Sequence, residues 1–328
     1  MNRLLLILVF ALIAAACSGG DDDVATTTTI EAIETIEERS GLATVNGADI
    51  PVIDITKLHV DFGELQSQEI ADSVLLLVLN EVLYDEADTQ FALVPSEGDI
   101  AAAFETHVDS YGTVERMNAV LESQNETSDR LQLESQLDAL RTLLARHLVI
   151  SETQGFDIDL AFKNYLLTES TVCVRHIQVL TEEGFDLVRG RVDAGEDFAT
   201  VALENSLDPL VARTDGGSGA GGDLGCRTPA STPFPEAALD AVVGELSGPV
   251  FTDAGTHLIQ VYERDAPELD DVRGDVLEVG VLTQGPGLFN DWAVRALQAA
   301  DVTIDEAFGS WGVLPATDGV PTVIPAGG

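Results

Sequence analysis

Two β-type runs carry most of the side chains able to do chemistry. VCVRHIQVL, from Val172, holds Cys173 and His176; PVFTDAGTHLIQVYER, from Pro249, holds Thr252 and His257. Between them stand Asp208 in Ser206-Leu207-Asp208 before Pro209, Cys226 after the GGDLG of 221–225, and Phe234 ahead of Pro235-Glu236. His176 precedes an apolar residue on a strand, which fits an inward-facing position. The two cysteines can form a disulfide outside the cytoplasm or remain separate buried thiols. Metal ligation is disfavoured, because the spacing is wrong and no His or Cys cluster accompanies them.

The elements that must position these residues begin where the chain changes character, at Val172. Asp186–Ala194 and Asp197–Leu203 read as helices split by Gly195. A Gly-rich loop, Asp215–Gly222, leads into a short strand at Asp223–Cys226. A helix at Pro235–Val242 precedes a hairpin from Pro249 to Glu263 that turns at Asp253-Ala254-Gly255. This order predicts one compact α+β domain over residues 170–266. Upstream, residues 41–168 read as a mainly helical lobe without a catalytic constellation. A strand pair opens it, Ala43–Val45 and Ile50–Ile55 about an Asn46-Gly47 turn. Apolar spacing predicts an amphipathic helix over Glu64–Asp88. Ser96–Asp99 (SEGD) is a capping box that opens a helix to about Val108, and Thr127–Ile150 is a longer helix with Leu133, Leu137, Leu140 and Leu144 on one face. Within 267–312 a helix returns near Leu288–Ala299, and the Pro/Gly/Thr-rich stretch 313–328 reads as a flexible tail.

The first 17 residues read as a targeting segment. Arg3 is a short positive region, and Leu4–Ala16 is an apolar run of about 13 residues, short of the ~20 a membrane span needs. It ends in Ala14-Ala15-Ala16-Cys17, followed by Ser18-Gly19-Gly20 and three Asp. This resembles a bacterial lipobox, with Ala14 where Leu is usual. It implies a lipid on Cys17 and anchorage to the outer face of the cell membrane. Residues 18–40, rich in Asp, Thr and Glu, read as a solvated acidic tether.

The 328 residues carry 57 acidic and 16 basic side chains, a formal net charge of −41. That excludes nucleic acid as an expected partner, since phosphate binding needs clustered Lys and Arg. Hydrophobic residues make up 45 % of the chain, which excludes disorder throughout, and only 5 % are aromatic, so packing must lean on Leu, Val, Ala and Ile.

VRHIQVL, GEDFATVALENSLD, GGDLG and PFPEAALDAVVGELSGPVFTDAGTHLIQVYER stand in that order from Val174 to Arg264. Together they resemble the parvulin (rotamase, PpiC-type) peptidyl-prolyl isomerases. The resemblance implies a four-stranded antiparallel sheet with surrounding helices, and catalysis of cis–trans isomerisation without a covalent intermediate or a cofactor. The family's paired histidines match His176 and His257, its central Cys or Asp matches Asp208, and the hydroxyl of its penultimate strand matches Thr252. The Phe of the proline pocket matches Phe234. The pocket's Met or Leu should fall at Ala230 or Ser231, and neither fits. A second Ser is replaced by Ala254, and about six extra residues within Thr214–Ala220 lengthen the loop before GGDLG. Phospho-specific members carry basic residues shortly after the first strand; Thr181-Glu182-Glu183 stands here instead, which would repel phosphate.

The resemblance also makes the first strand and the GGDLG strand neighbours. It thereby implies a Cys173–Cys226 bridge closing roughly 50 residues and worth about 2–4 kcal/mol. ATVNGADI (Ala43–Ile50) before a helical lobe resembles the PrsA/SurA-type foldases, in which the lobe cradles unfolded clients and a later helix, here with Trp292, packs back on it. The expected partners are unfolded or nascent exported polypeptides containing X-Pro. The departures around the pocket leave open a non-catalytic chaperone with a vestigial parvulin domain.

Overall fold

Asn46 and Gly47 both take positive φ, 50° and 87°, the handedness that lets a two-residue turn follow the twist of its strands. They fold Ala43–Val45 (β1) back on Ala48–Ile50 (β2). The second strand ends there and does not run to Ile55, because Pro51 has no N–H for a ladder and caps a helix, Val52–Lys57 (α1). The computed structural model describes residues 41–211 and 220–327. The signal segment, Cys17, the acidic tether and the core of the lengthened loop lie outside the described residues.

The helices continue with Ser67–Phe91 (α2), Glu97–Tyr111 (α3), Val114–Ser123 (α4) and Ser128–Ile150 (α5). Ile158–Glu169 (α6) precedes the first long strand, Thr171–Val179 (β3). Glu182–Asp193 (α7), Phe198–Asn205 (α8), Asp223–Arg227 (β4), a 3-10 turn at Pro229–Ser231 and Pro235–Asp240 (α9) follow. The chain closes with Leu246–Thr252 (β5), Gly255–Asp265 (β6), Leu269–Thr283 (α10), Gly285–Ala299 (α11), Val302–Ile304 (β7), Ser310–Val313 (β8) and Pro321–Ile324 (β9).

Two compact units result, one up to Thr153 together with Gly285 onward, the other Gln154–Gln284. In the first, α2 is buried at every position from Val74 to Leu79. It is therefore a central helix, not the one-sided amphipathic helix its spacing suggested. Ser96 caps α3: its Oγ accepts the Asp99 amide at 3.2 Å, and its own amide donates to Asp99 Oδ2 at 2.9 Å. α5 buries Leu131, Leu140, Leu144 and Leu148, while Leu133 and Leu137 are half-buried. α11 packs on α2 and α5, and Trp292 Nε1 donates to Gln90 Oε1 at 3.0 Å. The strand β7 pairs antiparallel with β1, so the sheet order is β2-β1-β7. The stretch expected as a tail is not loose: β9 pairs with β8 and buries Thr322 and Val323, and Phe308 beside it is 1 % exposed. Its β-branched TVI suits a strand, and the Pro and Gly residues punctuate turns.

The second unit is built on an antiparallel sheet ordered β4-β3-β6-β5. One face packs Ile177, Val179 and Leu258 against Phe185 and Val188 of α7 and Phe198 and Val201 of α8. The other packs Val172, Val174, Ile259 and Val261 against Leu224, Phe234 and Ala238. This unit is wider than 170–266, because α6 and α10 pack on each other within it. Both helices escape a hydrophobic-pattern reading, since α6 buries only Ala161 and α10 only Val276 and Gly280.

Candidate functional site

In the β3–β6 ladder His176 faces Ile259 and Gln178 faces His257. The two histidines are therefore diagonal neighbours on one face of the sheet, within reach of each other's rings. The rings lie nearly parallel, 14° apart with centroids at 5.4 Å, and their Nδ1 atoms are 3.2 Å apart. Each residue is 1 % exposed. Phe234, delivered by the segment before α9, sets its ring 5.6 Å from that of His176 and 5.4 Å from that of His257.

Asp208 arrives from the loop after α8. The pairing of β4 with β3 ends at Arg175–Asp223, which leaves the Gln178 backbone open on that side. The loop takes it: the Leu207 amide donates to Gln178 O at 2.9 Å, and the Gln178 amide donates to Ser206 Oγ at 3.1 Å. Asp208 Oδ1 accepts the Leu210 amide at 2.9 Å, a local turn that holds the side chain. Its Oδ2 lies 2.8 Å from His176 Nε2. At the other end Thr252, the last residue of β5, places Oγ1 2.8 Å from His257 Nε2 and accepts the Ala254 amide at 3.2 Å.

These contacts fix the direction of every proton when the carboxylate is ionised and both imidazoles are neutral. Asp208 can only accept, so His176 donates from Nε2 and its Nδ1 must accept. His257 then donates from Nδ1, leaving Nε2 to accept the Thr252 hydroxyl. The chain Thr252→His257→His176→Asp208 thus assigns each neutral imidazole a defined tautomer. Burial is the first cause that lowers the pKa of His176, reinforced by Arg227 and opposed by Asp208. Burial, then the neighbouring His176, pushes His257 down to about 4. Both shifts favour the uncharged rings the chain requires.

Glycine is demanded where the backbone closes on this floor. Gly222 has φ +83°, and a Cβ there would collide with the carbonyl oxygen of His176. Gly248 has φ +133°, and a Cβ would stand 2.7 Å from the carbonyl oxygen of His257. The GGDLG segment is thus tied to the site by close packing.

The structure brings His176, His257, Asp208, Thr252 and Phe234 together. It leaves Ala230 and Ser231 exposed on the 3-10 turn that leads to Phe234, with Ser231 Oγ bonded to Thr228 Oγ1 at 2.8 Å. Cys173 and Cys226 face each other across β3 and β4 and are joined by a disulfide. Sequence reasoning overlooked Ser206 and Gln178, which seat the Asp208 loop, and Leu207 and Leu210, which flank Asp208 at 51 % and 44 % exposure. The Ser206-x-Asp208 spacing was the available signal, since a hydroxyl two residues before a carboxylate can hold its loop. Among the described residues, no group of three or more His, Cys, Asp or Glu is gathered as metal ligands would be.

Residues 174–265 match the PPIC-type PPIase domain family. A foldase protein PrsA from a Geobacillus species is 29 % identical over 231 residues, covering 69 % of this chain and 76 % of the relative. The foldase protein PrsA of Geobacillus kaustophilus is 41 % identical over 92 residues, which cover 27 % of this chain and 31 % of the relative. The crystal structure of the peptidylprolyl isomerase PrsA from Bacillus cereus shares the fold, with a TM-score of 0.52 at 21 % identity over 82 % of this chain and 95 % of that one. The proton-ordered histidine pair therefore lies in a PPIC-type peptidyl-prolyl isomerase domain, and the chain is a homologue of the PrsA foldases.

Proposed function

We propose that the chain is an extracytoplasmic peptidyl-prolyl cis–trans isomerase that assists the folding of exported proteins. Its site twists the X-Pro amide without breaking a bond. The partial double bond sets a barrier of about 18–20 kcal/mol. Acceleration by about 10³- to 10⁴-fold needs roughly 4–5.5 kcal/mol of stabilisation that is absent from either planar state. Twisting uncouples the nitrogen lone pair from the carbonyl and reduces the charge on its oxygen. A dry floor of Phe234 and two neutral imidazoles withholds the solvation that favours the planar amide. The Asp208 carboxylate beside the carbonyl raises the energy of the planar, more polarised oxygen.

The observation that carries this reading is the unbroken chain from Thr252 to Asp208 with Phe234 against both rings. A protease-coupled isomerisation assay on X-Pro peptides tests it: the natural chain should turn over, and His176→Ala or Asp208→Ala should lose most of the rate. Wild-type rates for both variants would refute it.

The clients in this reading are unfolded or nascent exported polypeptides. Glu182 and Glu183, in the first turn of α7, disfavour an acidic residue before the proline. Ala-Pro peptides should be turned over faster than Glu-Pro peptides, and equal rates would contradict the charge argument. A lipid on Cys17 would hold the chain to the outer face of the cell membrane, which fits the sequence Ala14-Ala15-Ala16-Cys17. No helix among the described residues is long and apolar enough to cross a membrane. Detergent-phase partitioning that is lost in Cys17→Ser would support the anchor.

A second reading is favoured by one observation: Ala230 and Ser231 are exposed where a Met or Leu would wall the proline pocket. In that reading the chain is a non-catalytic chaperone. Suppression of client aggregation that survives His176→Ala, in a chain with no isomerase rate, would establish it.

A further inference from the structure

We propose that the Cys173–Cys226 disulfide is a redox-sensitive lock that positions the wall of the isomerase site. Cys173 stands on the strand that carries His176, and Cys226 on the strand that runs through a single turn into Phe234. The bond therefore ties the two sides of the site directly. It does so where the backbone ladder is interrupted. β4 is an edge strand whose pairing with β3 shifts register between Cys173 and Arg175, and its middle is not in ladder register. The Gly225 amide turns to its own neighbour's carboxylate, Asp223 Oδ1, at 2.8 Å. The segment is also held by burial of Leu224 and Phe234 against Val172 and Val174, by the Tyr262 hydroxyl donating to Asp223 Oδ1 at 3.1 Å, and by the close seat of Gly222 under the His176 carbonyl. A short edge strand with an interrupted ladder opens locally at lower cost than a fully paired one. A covalent link at its far end removes that freedom.

The bond is also reachable. Cys173 is 3 % exposed, but Cys226 is exposed on the sheet edge. A thiolate of a dithiol reductant attacks Cys226 Sγ, the S–S bond breaks, and Cys173 leaves as a thiolate that takes up a proton. The second thiol of the reductant then displaces Cys226, which leaves as a thiol, and the reductant ends as its own disulfide. The hydrogen-bond chain from Thr252 to Asp208 uses neither cysteine, so reduction leaves it in place. The lock rests on the isomerase reading of this site, and it acts on substrate binding rather than on the histidines.

The test uses the full chain, oxidised and after a dithiothreitol titration, with free thiols mapped by mass spectrometry at each position. Reduction should raise KM for an X-Pro peptide roughly three- to tenfold, the scale of losing one pre-ordered side chain from a binding surface. The turnover number and the pH profile should change little. Hydrogen exchange should accelerate at residues 224–227 and 234 while 257–261 of β6 stays protected. The Cys173→Val, Cys226→Ala double variant should behave as the reduced chain and ignore reductant; should it fail to fold, the titration of the natural chain decides. Free thiols at both positions in unreduced protein would overturn the proposal. So would equal KM and equal exchange in the two redox states, or a parallel loss of turnover, melting temperature and protection across the whole sheet. Exchange is read without turnover, so an oxidised chain with no isomerase rate would sink the isomerase reading alone.

Discussion

Asp208 Oδ2 stands 2.8 Å from His176 Nε2, and the other nitrogen of that ring lies 3.2 Å from Nδ1 of His257. One carboxylate thus sets the tautomers of two imidazoles. Asp208→Asn keeps the shape and removes the charge, and its amide nitrogen can face His176 and reverse the chain. A hydrogen bond to a charged group contributes roughly 1.5–3 kcal/mol, so kcat/KM should fall about 10- to 100-fold. Because Asp208 is what opposes the lowering of the His176 pKa, NMR titration of the variant should find that ring harder to protonate. An unchanged rate would remove the carboxylate from the site.

Acid should unfold the second unit through its histidines. Burial, then the neighbouring His176, pushes the His257 pKa down to about 4 in the fold from the ordinary imidazole value of about 6.5. Above 6.5 neither the folded nor the unfolded state holds the proton. Between 6.5 and about 4 only the unfolded state does, so stability is lost as pH falls through that window. The shift amounts to on the order of 3 kcal/mol for this one buried ring. Urea midpoints at pH 7, 5.5 and 4 should fall more steeply for the natural chain than for His257→Gln. Parallel slopes would contradict the assignment.

Phe234→Leu and Phe234→Ala separate stability from binding. The ring is 3 % exposed and lies against both histidines. Truncation to Ala should cost about 3–5 kcal/mol. Leu should keep the unit folded while weakening substrate binding, seen as a raised KM at nearly unchanged melting temperature. Unaltered kinetics in the Leu variant would place the ring outside the substrate's reach.

Gly222→Ala probes the close seat beneath the site. Both the positive φ and the approach to the His176 carbonyl oppose a Cβ, and strain of this kind costs about 1–3 kcal/mol. Melting temperature and isomerase rate should fall together, because β3 must shift to make room. Gly190→Ala, where a Cβ meets nothing within 4 Å, serves as the tolerant control.

Phe308→Ala should unfold the first unit selectively. Its ring is 1 % exposed in the C-terminal stretch that pairs back to β1. A loss of about 3–5 kcal/mol is expected, read as a lowered first transition in calorimetry with the isomerase unit's own transition unchanged. Insensitivity at this position would mean the stretch contributes nothing to the core.

The amino-acid sequence by itself determined the short-range features of this protein. Asn46-Gly47 specified a turn, Ser96 with Asp99 a helix start, and the apolar residue after His176 an inward-facing position on its strand, because each is decided by a few neighbouring side chains. The site residues were legible as types in order, through motifs spread from Val174 to Arg264. Tertiary structure alone decided the rest. Pro51 ended a strand that its apolar neighbours would have continued, and α6 and α10 bury too little for a stripe to mark them. The same holds for the direction of the protons between Thr252 and Asp208. Strand register brings the imidazole nitrogens together, burial removes the water that would compete for them, and neither register nor burial is a property of any local stretch of chain.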